Sequence, residues 1–284
     1  MRRLLLAATA GWALAATPAQ AACPAAEAVA GLARNLLANA PSQPFAGMTS
    51  LADGQCAQDQ LVRLLAAEWG RPVGYKVGLT NPTAQQRFGV AHPVVGVIFE
   101  RTVAARSGAE IPARFGAVPT VEADLLVRVR DEAINQARNH LDVLRAIDLV
   151  IPFIEMPDLV LAQGLDGPNL LAINVGARLG VLGEPIPVQV SEEFAARLGT
   201  MTVVMDNGER ELARAPGTAL LGHPLNVMPW LAEHLAARGQ RLRAGDLVSL
   251  GGFSPALPTE PGRTYTVRYE GLLAAPVSVN VRTR

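Results

Sequence analysis

Lysine is almost absent from this chain of 284 residues: of its 25 basic side chains, 24 are arginine and one, Lys76, is lysine. Arginine stays protonated at any reachable pH, whereas a lysine in a desolvated pocket titrates and moves protons. A solitary lysine is either a remnant of an arginine-rich composition or a group kept for its chemistry, and the count alone leaves both open. Cysteine is nearly as scarce. Cys23 and Cys56, without nearby histidines, are too few for a sulfur metal site, though in an exported protein they predict a disulfide tying the N-terminal arm to the second helix. The four histidines are scattered. No Gly-x-Ser-x-Gly nucleophile turn, dinucleotide fingerprint or phosphate loop is present. Aromatics make up 5%, and no basic run interleaves with them, which excludes a nucleic-acid surface. No segment is apolar for the ~20 residues that a membrane-spanning helix needs.

The N-terminus reads as a targeting segment. Arg2 and Arg3 precede an apolar run from Leu4 to Ala16, and Pro18-Ala19-Gln20-Ala21 supplies small residues before a cut after Ala21. Residues 1–21 are therefore expected to be a signal peptide, and the mature protein to be periplasmic or secreted. A lipoprotein cut before Cys23 ranks second, because Gln20 stands where such signals carry a leucine-like residue. Loss of Arg2 and Arg3 moves the formal charge from 0 to −2.

Residues 25–39 and 56–69 have the periodicity of amphipathic helices, with Leu32, Leu36, Leu61, Leu64 and Leu65 on their apolar stripes. Pro41, Pro44, Gly47 and Gly54 mark a loop between them. From Val73 onward the texture is β-rich. Strands are expected at 94–98, 118–129, 149–155, 172–182, 201–206, 247–250, 264–269 and 277–281, with a hairpin turn at Asn207-Gly208. Helical patterns fall at 138–147 and 224–238. Many strands with few, irregularly placed helices predict an α+β fold and not a doubly wound or barrel α/β fold. The division is a helical region at 22–70 and a β-rich catalytic domain at 71–284.

Acids follow the lysine along the chain. In the run Val121-Glu122-Ala123-Asp124-Leu125, Glu122 and Asp124 share one strand face, about 7 Å apart. So placed, they either grip a divalent cation or sit as two solvated acids on a wet face. Glu155 ends the continuously apolar run 149–154, which suggests a strand buried on both faces. A carboxylate there needs a cation or a set of hydrogen bonds. Three acids without histidine suit Mg²⁺, with Mn²⁺ or Ca²⁺ as alternatives, and do not suit zinc. Asp158 is a candidate fourth acid, or a turn residue beside Pro157. His92 falls in a loop that could face the site. His223 suits capping or packing, and His140 and His234 read as ordinary helix residues.

These residues fall into ordered motifs: Gly74-Tyr75-Lys76-Val77-Gly78-Leu79-Thr80, then Gly89-Val90-x-x-Pro93-x-x-Gly96, Val121-Glu122-Ala123-Asp124 and Ile151-Pro152-Phe153-Ile154-Glu155. Leu221-Gly222-His223-Pro224-Leu225-Asn226 and Gly245-Asp246-Leu247-Val248-Ser249-Leu250-Gly251 complete the set. From about residue 55 to 281 the chain resembles the 2-keto-4-pentenoate hydratases of the fumarylacetoacetate hydrolase superfamily. The resemblance implies a mixed β-roll of the fumarylacetoacetate hydrolase C-terminal type with an N-terminal helical region. It implies a divalent metal held by Glu122, Asp124 and Glu155, and catalysis by Lys76; His92 is taken as a second catalytic candidate from its own position in the chain. Substrate contacts at Leu79 and Asn174 are implied as well, as is a homo-oligomer. The substrate class is a short 2-oxo acid or its dienol, chelating the metal through its carboxylate and 2-oxygen. Lys76, with a pKa lowered by the cation, would shuttle protons at the resulting enolate.

The chain departs from the family pattern at three positions. Asp124 replaces a glutamate and is one methylene shorter. Val94 stands where hydratases often carry an acid, leaving His92 as the nearby stand-in. Gly176 falls where a serine is common. Alternative readings on the same site are a C–C hydrolase or decarboxylase of a related 2-oxo acid, or an exported relative that binds such an acid without turnover.

Overall fold

Ser50 accepts a hydrogen bond from the Asp53 N–H, and the Asp53 carboxylate accepts one from the Ser50 N–H. This reciprocal cap satisfies two otherwise orphaned donors and starts the second helix earlier than its apolar stripe predicts. In the computed structural model, which describes residues 23–161 and 163–284, α1 spans Ala26–Leu37 and α2 spans Leu51–Trp69. The expected signal peptide at 1–21 lies outside the described residues. Gly54, expected in the loop, is inside α2. A Cβ there would stand 2.3 Å from the Pro168 carbonyl oxygen, so glycine permits the close approach of the helix that follows Asp166.

The chain continues through β1 (Pro72–Gly78), α3 (Pro82–Phe88), β2 (Val94–Phe99), β3 (Ala105–Arg106), β4 (Ala109–Ile111) and β5 (Thr120–Val129). After α4 (His140–Ala146) come β6 (Ile147–Met156), α5 (Gly167–Ala172), β7 (Leu179–Leu182) and β8 (Ile186–Pro187). Then α6 (Glu192–Thr200) precedes β9 (Thr202–Asp206) and β10 (Glu211–Pro216), joined across Asn207-Gly208 as the sequence predicts. The chain closes with α7 (Val227–Ala236), β11 (Leu247–Ser249), β12 (Leu257–Pro258), β13 (Thr264–Glu270) and β14 (Val277–Thr283). The expected strand at 172–182 is a strand only over its last four residues. Its first part ends α5 and turns through Asn174, Val175 and Gly176, all at positive φ.

Two sheets result, and the fold is the expected α+β type. One has the order β2-β1-β11-β5-β6-β7-β3, with β12 on β5 and β8 on β6; the other is β10-β9-β13-β14-β4. Alternation along β5 sends Val121, Ala123, Leu125, Val127 and Val129 into the core, where they meet Val203, Met205, Val267, Tyr269, Val279 and Val281 of the second sheet. Tyr269 is fully buried, and its hydroxyl donates to the Asp124 carbonyl and accepts from the Phe153 N–H at 3.0 Å. The second sheet thereby pins β5 and β6 at the residues flanking the acids.

A separate apolar cluster joins α1, α2 and α5 to Val94, Phe99 and Val175. Cys23 and Cys56 form the expected disulfide, Cα atoms 5.3 Å apart and 33 residues apart in sequence, fastening the start of the described chain to α2. Replacing both cysteines by serine is expected to lower unfolding free energy by about 3–4 kcal/mol through the entropy of the opened loop. Urea denaturation of the oxidised protein and the double variant measures this.

Candidate active site

The order β1-β11-β5-β6 brings the lysine strand and both acid strands into one sheet. Lys76 pairs with Ser249 of β11, and Glu122 of β5 lies directly opposite Glu155 of β6. The Lys76 Nζ lies 2.6 Å from Glu155 Oε1, both side chains about 5% exposed, and donates to the Val175 carbonyl at 2.9 Å. The Glu155 Oε2 atom is buried and has no hydrogen-bond partner among the described residues. The structure thus brings Lys76, Glu122, Asp124 and Glu155 together, with the lysine paired to the acid whose burial demands a partner.

The acids differ in how they are held. Asp124 is fully buried; Ser249 Oγ donates to its Oδ2 at 2.6 Å, and the Gly251 and Leu125 N–H groups donate to its Oδ1 at 3.2 and 2.5 Å. Glu122 is partly open and lines a cavity of about 480 Å³ together with Lys76, Leu79, Thr80, Arg87 and Ser254. A Cβ on Gly252 would come 2.6 Å from Glu122 Oε2, so the glycine keeps approach to that carboxylate clear.

Electrostatics follow from burial and crowding. Burial pushes Asp124 up to about 7, with Glu122 adding to it and the Ser249 and Leu125 hydrogen bonds opposing. Burial likewise raises Glu155 to about 8, against the pull of Lys76. For Lys76 burial acts downward, but Glu155, Glu122 and Asp124 outweigh it and hold the ammonium above an ordinary lysine value. The protein's own charges therefore work against the lowered lysine pKa expected from the sequence. Fully ionised, the three carboxylates facing one ammonium would leave two negative charges, which a divalent cation would balance and whose crowding keeps the acids' proton affinity high in its absence. Among the described residues, no group of three His, Cys, Asp or Glu side chains is arranged as it stands to hold an ion.

Leu79, at positive φ where β1 turns toward α3, lines the cavity as expected. Two other candidate residues stand off the cavity lining. His92 is exposed and does not line the cavity; its Nδ1 lies 2.7 Å from the Pro93 carbonyl and its ring faces Trp230 at 6.5 Å. Asn174 is buried behind the wall, where its Oδ1 accepts from Val97 N–H and Gln58 Nε2 and its Nδ2 donates to the Val97 carbonyl. It clamps the left-handed turn that aims the Val175 carbonyl at Lys76. A β-branched residue at φ 55° is a strained position. Asp158 accepts from the Ala117, Val118 and Val160 N–H groups and is a turn residue. His223 caps the turn at Pro224.

Sequence reasoning missed Ser249, Gly251 and Val175. Ser249 and Gly251 stood in a motif noted for its order alone, and Val175 acts through its backbone, which no residue type signals.

No protein-family model matches the chain. Curated relatives do. The chain is 30% identical over 251 residues to 2-keto-4-pentenoate hydratase 1 of Dechloromonas aromatica, covering 87% of this chain and 94% of that protein. It is 33% identical over 211 residues to a 2-keto-4-pentenoate hydratase of Paraburkholderia phymatum, covering 74% and 78%. Among solved structures, 4-oxalocrotonate decarboxylase from Pseudomonas putida G7, complexed with magnesium and adipate, superimposes with a TM-score of 0.80 at 27% identity, over 91% of this chain and 97% of that one. Fumarylpyruvate hydrolase from Pseudomonas aeruginosa, in complex with Mn²⁺ and pyruvate, shares the fold with a TM-score of 0.55 at 16% identity, over 75% and 90%. The chain belongs to the 2-keto-4-pentenoate hydratase family of the fumarylacetoacetate hydrolase superfamily.

Proposed function

We propose that the protein is a metal-dependent hydro-lyase acting on a short 2-oxo acid or its dienol. The observation that carries this reading is the buried Lys76–Glu155 pair beside Glu122 and Asp124, three carboxyl groups around one ammonium, at a cavity. Glu155, through its unpartnered Oε2, and the open Glu122 would hold a Mg²⁺ or Mn²⁺ ion, with Asp124 beside them. The relatives complexed with magnesium, calcium and Mn²⁺ support the choice of cation. Such an ion would polarise the 2-oxo group of a chelating acid and make the neighbouring C–H bonds acidic.

The residues supply the rest. Two of the three ammonium donors of Lys76 are engaged by Glu155 and Val175, which fixes the third toward the substrate side. Lys76 holds the proton at Nζ and exchanges it with the substrate carbon, and Glu155 stabilises the charged form between exchanges. Leu79, Leu165, Leu170, Val175 and Phe253 give the cavity an apolar wall that limits water around the reacting carbon.

Decarboxylation is the second reading, favoured by Val94. Where the family often carries an acid, this side chain is 2% exposed and packed in the helical cluster. No acid there positions a water, and loss of CO₂ followed by protonation needs none. Following the ultraviolet absorbance of 2-hydroxypenta-2,4-dienoate tests the main reading. Hydration is expected with Mg²⁺, lost in chelator and restored by added Mg²⁺; no consumption under any condition refutes it, and CO₂ release from a 2-oxo diacid instead selects the second.

Export completes the proposal. It rests on the signal sequence and is supported by the Cys23–Cys56 bond, which suits an oxidising compartment and leaves no free thiol on Cys23 for a lipid. Assembly into a homo-oligomer is part of the same proposal, on the strength of the family resemblance.

A further inference from the structure

One charged side chain of the cavity has no part in this chemistry. Arg87, in the last turn of α3, lines the same cavity as Lys76 and Glu122. Several arginines elsewhere are paired with acids, among them Arg128 with Asp148, Arg214 with Glu211, Arg238 with Asp59 and Arg268 with Asp206. Arg87 is not: among the described residues its guanidinium makes no hydrogen bond or ion pair, and it lies 5.7 Å from the Phe88 ring centroid. Lys76 is buried and Arg87 exposed, so the cavity runs from a buried lysine–carboxylate end to an open end marked by a cation. Glu122 is the one acid on its lining, and much of the remaining wall is hydrocarbon. At about 480 Å³ the space exceeds what a five-carbon acid fills and lies within the ordinary range for small-molecule sites.

We propose that Arg87 binds a second carboxylate at the far end of the substrate, so that the protein selects 2-oxo diacids over monoacids of equal length. The inference rests on the proposed binding of the 2-oxo acid head at the Lys76 end. A guanidinium presents a planar fork that matches a carboxylate with two parallel hydrogen bonds, which an amide or a point charge does not reproduce. The hydrocarbon between the two anionic ends lies along the apolar wall. Because Arg87 is exposed, solvent screening limits the gain to about ten-fold in affinity. Arg87 is a specificity residue, and no proton or bond at the reacting carbon depends on it.

Calorimetric binding to the full-length mature protein in Mg²⁺ tests this, with 2-oxoadipate, 2-oxohexanoate and oxalate as probes against wild type, Arg87→Gln and Arg87→Lys. The expected result is about ten-fold tighter binding of 2-oxoadipate than of 2-oxohexanoate by wild type, lost in Arg87→Gln and partly kept in Arg87→Lys. Oxalate, too short to reach the open end, should bind all three alike. Equal affinity of wild type for the two six-carbon acids, or a preference that survives Arg87→Gln, overturns the proposal while Mg²⁺-dependent oxalate binding leaves the reading of the inner end standing. Absence of Mg²⁺-dependent binding of oxalate and of both acids overturns the two together.

Discussion

Replacing Lys76 by methionine is expected to cut turnover by about 10²–10⁴-fold while leaving Mg²⁺-dependent oxalate binding within a few-fold of wild type. Methionine keeps the length of the stem and removes the ammonium that sits beside Glu155 on the cavity wall. The fold should survive. Asp124 and Glu155, already pushed up to about 7 and about 8, take up protons readily once the ammonium is gone. The sign is fixed by that direction: carboxyls whose folded pKa is raised hold protons that the unfolded chain releases. The variant is therefore most stable at acidic pH and loses stability as pH rises above the ordinary carboxylate range, since both folded carboxyls lie well above it and lose the lowering pull of Lys76. Lys76→Arg separates charge from proton transfer. It retains a cation for Glu155 but one that does not deprotonate, so it too should be inactive; an active Lys76→Arg enzyme would reduce Lys76 to a structural counter-ion. Steady-state assays of the three proteins, with oxalate titrations beside them, distinguish these outcomes.

Glu155→Ala is expected to do the greatest damage to stability. It leaves the Lys76 ammonium, 6% exposed, with only the Val175 carbonyl and the more distant Glu122 and Asp124. Breaking a buried pair by removing one partner costs about 3–5 kcal/mol, because the survivor stays desolvated and uncompensated. For a chain of this size the melting temperature should fall by on the order of 10 °C. Adding Lys76→Met to Glu155→Ala should recover part of the loss, since the double variant strands no charge. Differential scanning calorimetry of both single variants and the double variant gives the coupling. If Glu155→Ala melts with wild type, the pair is not the buried interaction described here.

Local pattern made much of this legible. The alternation of 121–129 identified a strand with Glu122 and Asp124 on one face, and the apolar run before Glu155 foretold both its burial and its need for a partner. Composition and the expected compartment made a Cys23–Cys56 bond plausible, and the structure forms it. What was not legible is where a side chain points after the chain has packed. His92 lies just before β2, the strand paired with the lysine strand, but turns toward Trp230. Asn174 sits in a run apolar enough to pass for a strand, yet its left-handed backbone makes it a clamp for Val175. The start of α2 was readable in principle, because Ser50-x-x-Asp53 is a helix-start signature; Gly47 and Gly54 on either side masked it. That Ser249 and Gly251 would donate to Asp124 required knowing that β11 pairs with both β1 and β5.

The central claim is that Lys76 moves protons at a metal-activated 2-oxo acid. Exchange of the C3 protons of 2-oxopentanoate in D₂O, followed by proton NMR with wild-type and Lys76→Met protein, tests it without requiring the physiological substrate. Wild type with Mg²⁺ should wash out the C3 signal, and neither the chelator-treated enzyme nor Lys76→Met should exceed the protein-free control. Equal exchange by wild type and Lys76→Met, or exchange indifferent to Mg²⁺, would contradict the account.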